Sequence, residues 1–240
     1  MSLFDPACVR YPIPYMCEVE VTPSVVAELL YCKHQFCISQ KLDGIGVTYL
    51  FDSDPYAMVS AYDRNNAQIA RSNHQITSWK ATDPRWRWIN EYFKTTRALY
   101  RPRAGFALQG ELCGPGINGN PLELNELMFY LVDVYDTHTG SLMDVGEAKE
   151  HSLMWGIPYV PWVYHSHLPA TQSLKHPTDP DDMFAWLHKL SQFDYTNTTN
   201  PGEGLVVRTV NPMRSRSLVF RFTFKVTNPV WKDVQQWQQF

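Results

Sequence analysis

With 240 residues and 44% hydrophobic content, the chain is long enough for one large domain or two small ones. Its 21 basic and 24 acidic residues leave a formal charge of −3, which excludes adhesion to nucleic acid through total charge; any polyanion site has to be a local patch. Five cysteines with no CxxC pair argue against a disulfide scaffold, and no leader-like start or membrane-length apolar run appears, so a soluble cytoplasmic protein with no membrane partner is expected. Cys32 and Cys37 bracket Lys33–Phe36, but no second ligand pair completes a zinc site, and ordinary buried thiols are expected.

In chain order, VTPSVVAELLY reads as a short helix with Pro23 in its first turn. HQFCISQK, IGVTYLF and YAMVSAY read as strands, the last two separated by the turn DSDP. ATDPRWRWINEYFKTTRALY reads as a helix capped by Asp83. GFALQGEL and MFYLVDVYD are strands flanking the loop CGPGINGNP. VGEAKEHSLMWG is a helix stopped by Gly156, and PDDMFAWLHKLSQF a helix with acidic residues at its favourable end. GEGLVVRT and SLVFRFTFKV are late strands, and VWKDVQQWQQF is a terminal helix. Strands at hairpin spacing with helices between groups of them predict an α+β fold of mainly antiparallel sheets. No linker of distinct composition divides the chain, so a single domain over 1–240 is expected.

The chemistry centres on QKLDGIGVTYLF, where Lys41 precedes Asp43-Gly44. Taken alone, Asp-Gly is the signal of a tight hairpin turn and a neighbouring lysine is ordinary. A nucleophilic lysine needs an apolar setting or nearby cations. Four further stretches place an ionisable residue at or near a strand end: YDRNN with Arg64, LQGEL with Glu111, NPGEGLVVR with Glu203, and FTFKVTN with Lys225. Singly, each reads as a surface or turn residue. Together, two carboxylates for a divalent cation and two cations for a triphosphate around a lysine are what nucleotidyl transfer requires.

This ordered set resembles the covalent nucleotidyltransferase superfamily of ligases and capping enzymes. KLDG resembles motif I, YDRN motif Ia, QGEL motif III, FYLVDVYD motif IIIa, EGLVVR motif IV and FTFKVTN motif V. Each motif is short and unspecific; six in family order, from Lys41 to Lys225, are specific. GELCGPGI is similar to ATP-dependent RNA ligases of the RNA ligase 2 type. Gly46 stands where DNA ligases usually have arginine, and Glu203-Gly204 where capping enzymes more often have Asp-Gly.

The resemblance implies two mainly antiparallel sheets flanked by helices around a nucleotide cleft. It implies that Lys41 attacks the α-phosphate of ATP and carries AMP, with Gln40 offering its backbone to adenine. Asp43 and Gly44 belong to the nucleotide site, where Asp43, Arg64 and Glu111 would contact ribose or phosphates. Asp133 would support Lys41 and the nucleotide site, Lys225 would meet the α-phosphate, and Glu203, also of the nucleotide site, would with Glu111 hold Mg²⁺, or Mn²⁺, partly through water. The implied partner is RNA with 5′-phosphate and 3′-hydroxyl ends.

The chain departs from the pattern in places. Thr227 replaces the second lysine of motif V, and Val132 stands where an aromatic residue often stacks on adenine, with Phe129 or another ring as substitute. With Lys225 so near the end, no C-terminal RNA-gripping domain is expected, and an accessory protein or domain would supply that grip. Arg85–Trp88 with Lys94, Arg97, Arg101 and Arg103 is an RNA-contact candidate, with a solvated helix face as the favoured alternative. Arg214, Arg216 and Arg221 are candidates for the triphosphate tail or RNA phosphates. His165 and His167 lack further metal ligands and read as structural or exposed. The alternatives are a DNA-acting ligase, another nucleotidyltransferase including one using GTP, and a non-catalytic nucleotide- or RNA-binding module.

Overall fold

Alternating side chains sort the strands onto two main sheets. The computed structural model describes residues 19–51, 60–63, 105–165, 175–215 and 218–237. The helix expected over 81–100, with its Arg85–Trp88 stretch, lies outside them, as do Arg64, His167 and Arg216. The described chain runs α1 (Pro23–Tyr31), β1 (Phe36–Lys41), β2 (Ile45–Phe51), β3 (Ser60–Asp63), β4 (Phe106–Cys113), β5 (Met128–Asp136), β6 (Ser141–Leu142), α2 (Val145–Trp155) and β7 (Trp162–His165). It continues through α3 (Pro180–Leu190), β8 (Gly204–Thr209), β9 (Met213–Ser215), β10 (Leu218–Phe220), β11 (Thr223–Thr227) and α4 (Pro229–Trp237).

One sheet has the order β11-β8-β1-β7 and another β3-β2-β4-β5-β6, with β9 and β10 forming a separate ribbon; every ladder is antiparallel. In the four-stranded sheet, Phe36, Ile38, Leu205, Val207, Phe224 and Val226 bury one face against α1 and α3. The period of two then sends Lys41, Arg208 and Lys225 to the opposite face. In the five-stranded sheet, Val47, Tyr49, Leu108, Leu112, Phe129 and Leu131 pack with Ala148 and Trp155 of α2. The remaining faces of the two sheets meet each other, and the site lies between them.

Local signals set the helix ends. Thr22 caps α1, with Pro23 at its first position. Asp144 and Glu147 form a reciprocal capping box on α2, and Gly156 closes that helix at φ +63°. Asp179 accepts from the Asp181 and Asp182 amides at the start of α3. None of the described helices is long and apolar enough to cross a membrane.

Two expectations change. Asp43-Gly44 is not a hairpin tip: β1 pairs with β7 and β8, β2 pairs with β3 and β4, and the KLDG segment crosses from one sheet to the other. SLVFRFTFKV is not one strand; it divides into β10 and β11 at Arg221-Phe222, where the Arg221 side chain turns into the space between the sheets. The short strands β6 and β9 had no clear sequence signal.

Candidate active site

Lys41 ends β1, opposite Gly204 of β8, which in turn faces Thr227 of β11. Ser39, Val206 and Lys225 form the next row of the same face. Lys41 Nζ lies 2.5 Å from Glu203 Oε1, with the side chains 27% and 15% exposed. Burial pushes the Glu203 carboxyl above its ordinary value, and Lys41 offsets this only in part. Gly204 has φ +141°, and a Cβ there would lie 2.1 Å from the Val226 carbonyl oxygen. Glycine is therefore required beside Glu203 for both its backbone angle and its contact with β11.

The crossover after Lys41 is held from several sides. Asn118 Nδ2 donates to Asp43 Oδ1 at 2.8 Å and to the Gly44 carbonyl at 3.1 Å. Trp231 Nε1, from α4, donates to Asp43 Oδ2 at 3.2 Å. Tyr195 Oη accepts from the Asp43 amide at 3.0 Å. Asp43 is thus buried and engaged on both carboxylate oxygens. Gly44 serves close approach: a Cβ would meet the Leu112 carbonyl at 2.6 Å, Cys113 Sγ at 2.7 Å and Glu111 Cγ at 2.8 Å. Glu111 is accordingly brought against the KLDG crossover, and pairs across its sheet with Gly46 and Tyr130. The Cys113 thiol is buried beside Glu111, Asp43, Glu203 and Lys41, and burial raises it far above its ordinary value. Gln40 sits one residue before Lys41 and donates its amide to the Pro161 carbonyl at 2.8 Å.

Lys225 lies on the Lys41 face of the sheet and pairs with Glu20 Oε2 at 3.7 Å. Glu20 also accepts from the Thr227 amide and hydroxyl, both at 2.9 Å. The Glu20 side chain therefore bonds the motif V strand from the segment before α1, a contact with no sequence signal.

Asp133 sits deeper, through a β-bulge. β5 slips register against β4 between Gln109 and Gly110, so Gln109 faces Asp133 while Gly110 faces Leu131. The bulge turns Asp133 out of the α2-side core and toward the other sheet. There its carboxylate meets Arg221 Nε at 3.1 Å and Arg208 Nη1 at 3.5 Å, all three side chains being at most 1% exposed. Arg221 also donates to the carbonyls of Thr209, Val210 and Met143. Arg208 donates to the Val132 carbonyl and to Tyr159 Oη, both at 3.2 Å. Arg221 is thereby removed as a candidate phosphate ligand: its donors serve an inter-sheet cluster closed to solvent. Phe129 is likewise removed as a base-stacking ring. It is fully buried on the α2 side, edge-on to Tyr49 at 5.1 Å, and fills the space a Cβ on Gly110 would need. On this strand pair Tyr130 lies beside Glu111; Tyr159, bridged to Leu131 from the segment after α2, donates its hydroxyl to the Val132 carbonyl at 2.7 Å. His165 is buried and stacks on Trp162 at 4.7 Å, a structural role.

Among the described residues no group of three or more His, Cys, Asp or Glu stands ready to hold a metal ion. Glu203 and Glu111 are hard oxygen donors of the kind that bind Mg²⁺ or Mn²⁺ together with water and phosphate oxygens.

Comparison with known proteins agrees with this geometry. The RNA ligase family profile matches residues 34–227. No curated protein sequence matches significantly. A lysine-to-alanine mutant of Naegleria gruberi RNA ligase with ATP and Mn superposes with a TM-score of 0.63 at 19% identity, over 91% of this chain and 57% of that one. The same ligase with PPi gives 0.62 at 20% identity and the same coverage. The chain thus spans little more than half of the ligase it resembles, and the likeness establishes a shared fold of two antiparallel sheets with flanking helices.

Proposed function

Because this chain belongs to the RNA ligase family, we propose that it is an ATP-dependent RNA ligase acting through a lysyl-AMP intermediate on Lys41. The observation that carries the reading is the Lys41–Glu203 pair at 2.5 Å, held on the cleft face of a sheet beside Lys225. We assign 1–240 to a single adenylyltransferase domain.

Lys41 Nζ has to lose a proton before attack, and the Glu203 carboxylate, raised by burial, is within reach to accept it. Nζ then attacks the α-phosphorus of ATP, forming the N–P bond as pyrophosphate leaves. An oxygen of an RNA 5′-phosphate next displaces Lys41 and takes AMP. A 3′-hydroxyl finally attacks that 5′-phosphate, forming the phosphodiester and expelling AMP. Each step is an in-line displacement in which negative charge spreads over phosphoryl oxygens. Lys225 offers its ammonium on the same face, exchanging Glu20 for a phosphate oxygen. Glu203 and Glu111 would hold Mg²⁺ or Mn²⁺, whose chemistry is to neutralise phosphate charge. Tyr130 would take the place of the missing ring at Val132. Arg64 and the Gln40 backbone are assigned to the nucleotide from the motif resemblance. The RNA grip is assigned to an accessory protein or domain, and the buried thiols Cys37 and Cys113 suit the cytoplasm.

The test is incubation with divalent cation and ATP labelled at the α-phosphate, followed by a denaturing gel. Label on the wild type, removed by pyrophosphate and absent from Lys41→Ala, is the expected result; joining of 5′-phosphate RNA in preference to DNA completes it. No label with ATP or GTP, on protein shown by mass spectrometry to carry no AMP, would move the assignment to a nucleotide-binding module.

A further inference from the structure

Tyr195 lies between α3 and β8 and is 3% exposed. Its ring packs with Leu42, Cys113 and Val160, and stands edge-on to Phe193. A closed loop holds it there: Asp194 bridges to Pro201, and the Tyr195 amide donates to the Asn200 carbonyl at 3.0 Å. Gly202 leaves room for the Phe193 ring, which a Cβ would meet at 2.2 Å.

The hydroxyl of this buried ring makes three hydrogen bonds. It donates to the Lys41 carbonyl at 3.0 Å. It accepts from the Asp43 amide at 3.0 Å and from the Glu203 amide at 3.1 Å. One donor and two acceptor sites are all that a phenol offers, and all three are used. The partners are backbone groups of the two segments that carry the 2.5 Å Lys41–Glu203 pair. The β1–β8 ladder ends at Lys41 opposite Gly204, because the chain then leaves for the other sheet. The Tyr195 hydroxyl stands where the next rung of that ladder would have been.

We infer that Tyr195 is a positioning residue for lysine adenylation, its hydroxyl holding Lys41 and Glu203 in register where the strands part. This rests on the proposed function. The predictable cost of losing such registration falls on rate more than on nucleotide affinity, since an error near 1 Å costs on the order of a hundredfold.

The test compares Tyr195→Phe with Phe193→Leu, which disturbs the same loop without touching the hydroxyl. Single-turnover labelling by α-labelled ATP should slow about 10- to 100-fold in Tyr195→Phe, with ATP half-saturation changed less than about threefold. Phe193→Leu, at a comparable loss in melting temperature, should keep near wild-type labelling. Equal slowing in both variants, or none in Tyr195→Phe, would overturn the assignment. Amide hydrogen exchange reads the same rung without any activity: the Asp43 and Glu203 amides should speed up together in Tyr195→Phe. Unchanged protection at either amide would refute the role, whereas absence of label on wild-type protein with protection lost as expected would count against the lysyl-AMP reading alone.

Discussion

Glu203 and Asp133 are both carboxylates that reach into the space between the sheets and meet cations, yet their surroundings are opposite. Asp133 is closed in at 0% exposure between two arginines, which in turn donate to carbonyls of β5, β8 and the segments that follow β6 and β8. Glu203 is 15% exposed, pairs with Lys41, and immediately precedes Gly204, whose row holds Lys41 and Thr227. A dry cluster closed to solvent ties the two sheets together through charge. A pair open to solvent on one side can exchange partners. Under the proposed function, the difference separates an acid that supports the cleft from one that works in it, although the sequence resemblance gives both to the nucleotide site.

Breaking each cluster sharpens that contrast. Lys41→Ala should abolish covalent labelling altogether, while the melting temperature moves little, since a partly exposed pair contributes about 0–1 kcal/mol. Calorimetry and the labelling gel on one preparation would check both halves. Asp133→Ala should do the reverse, leaving two buried guanidinium groups unpaired. The expected destabilisation is about 3–5 kcal/mol, a fall in Tm on the order of 10 °C for a chain of this size.

Gly204→Ala tests the strand between the two clusters. Its φ of +141° and the 2.1 Å approach to Val226 impose backbone strain and overpacking together, each worth about 1–3 kcal/mol. Urea denaturation should show a lower midpoint, and activity should fall as β8 shifts under Lys41.

Proton linkage gives a subtler distinction. The folded-state value of Glu203 is raised, chiefly by burial. Its protonated form therefore favours the folded state, and that contribution is full below the ordinary carboxylate value. It is lost as pH rises through the raised value. Wild-type stability relative to Glu203→Gln should therefore decrease across that window, and adenylation should show an acidic limb above the usual carboxylate range. An identical pH dependence of stability in both proteins would contradict the burial argument. The smallest effect belongs to Glu20→Gln. Its contacts with Lys225 and Thr227 are exposed, so stability should change by less than about 1 kcal/mol, with ATP half-saturation the more sensitive readout.

Much of the fold was legible because apolar alternation is a local property. The β5 bounds coincide with MFYLVDVYD, β1 and β8 fall within their predicted runs, and β4 extends one residue beyond its own, to Cys113, since each buries one face on helices. The same alternation places Lys41 and Lys225 on one face. Periodicity failed where a tertiary contact overrode it. The bulge at Asp133 breaks the two-residue rule, and the turn of Arg221 toward Asp133 splits one predicted strand into two. Asp-Gly carried a hairpin signal, yet Gly44 is required by packing against Leu112 and Cys113.

The sequence by itself determined the family, the α+β class and the ordered set of ionisable residues, because strand patterning and motif chemistry reside in short stretches. Only the tertiary structure decided which of those residues share a wall. Tyr195, Asn118, Trp231 and Glu20 reach the KLDG crossover or motif V across 70 to more than 200 residues of chain. Their hydrogen bonds depend on where two sheets part, and no local pattern encodes that distance.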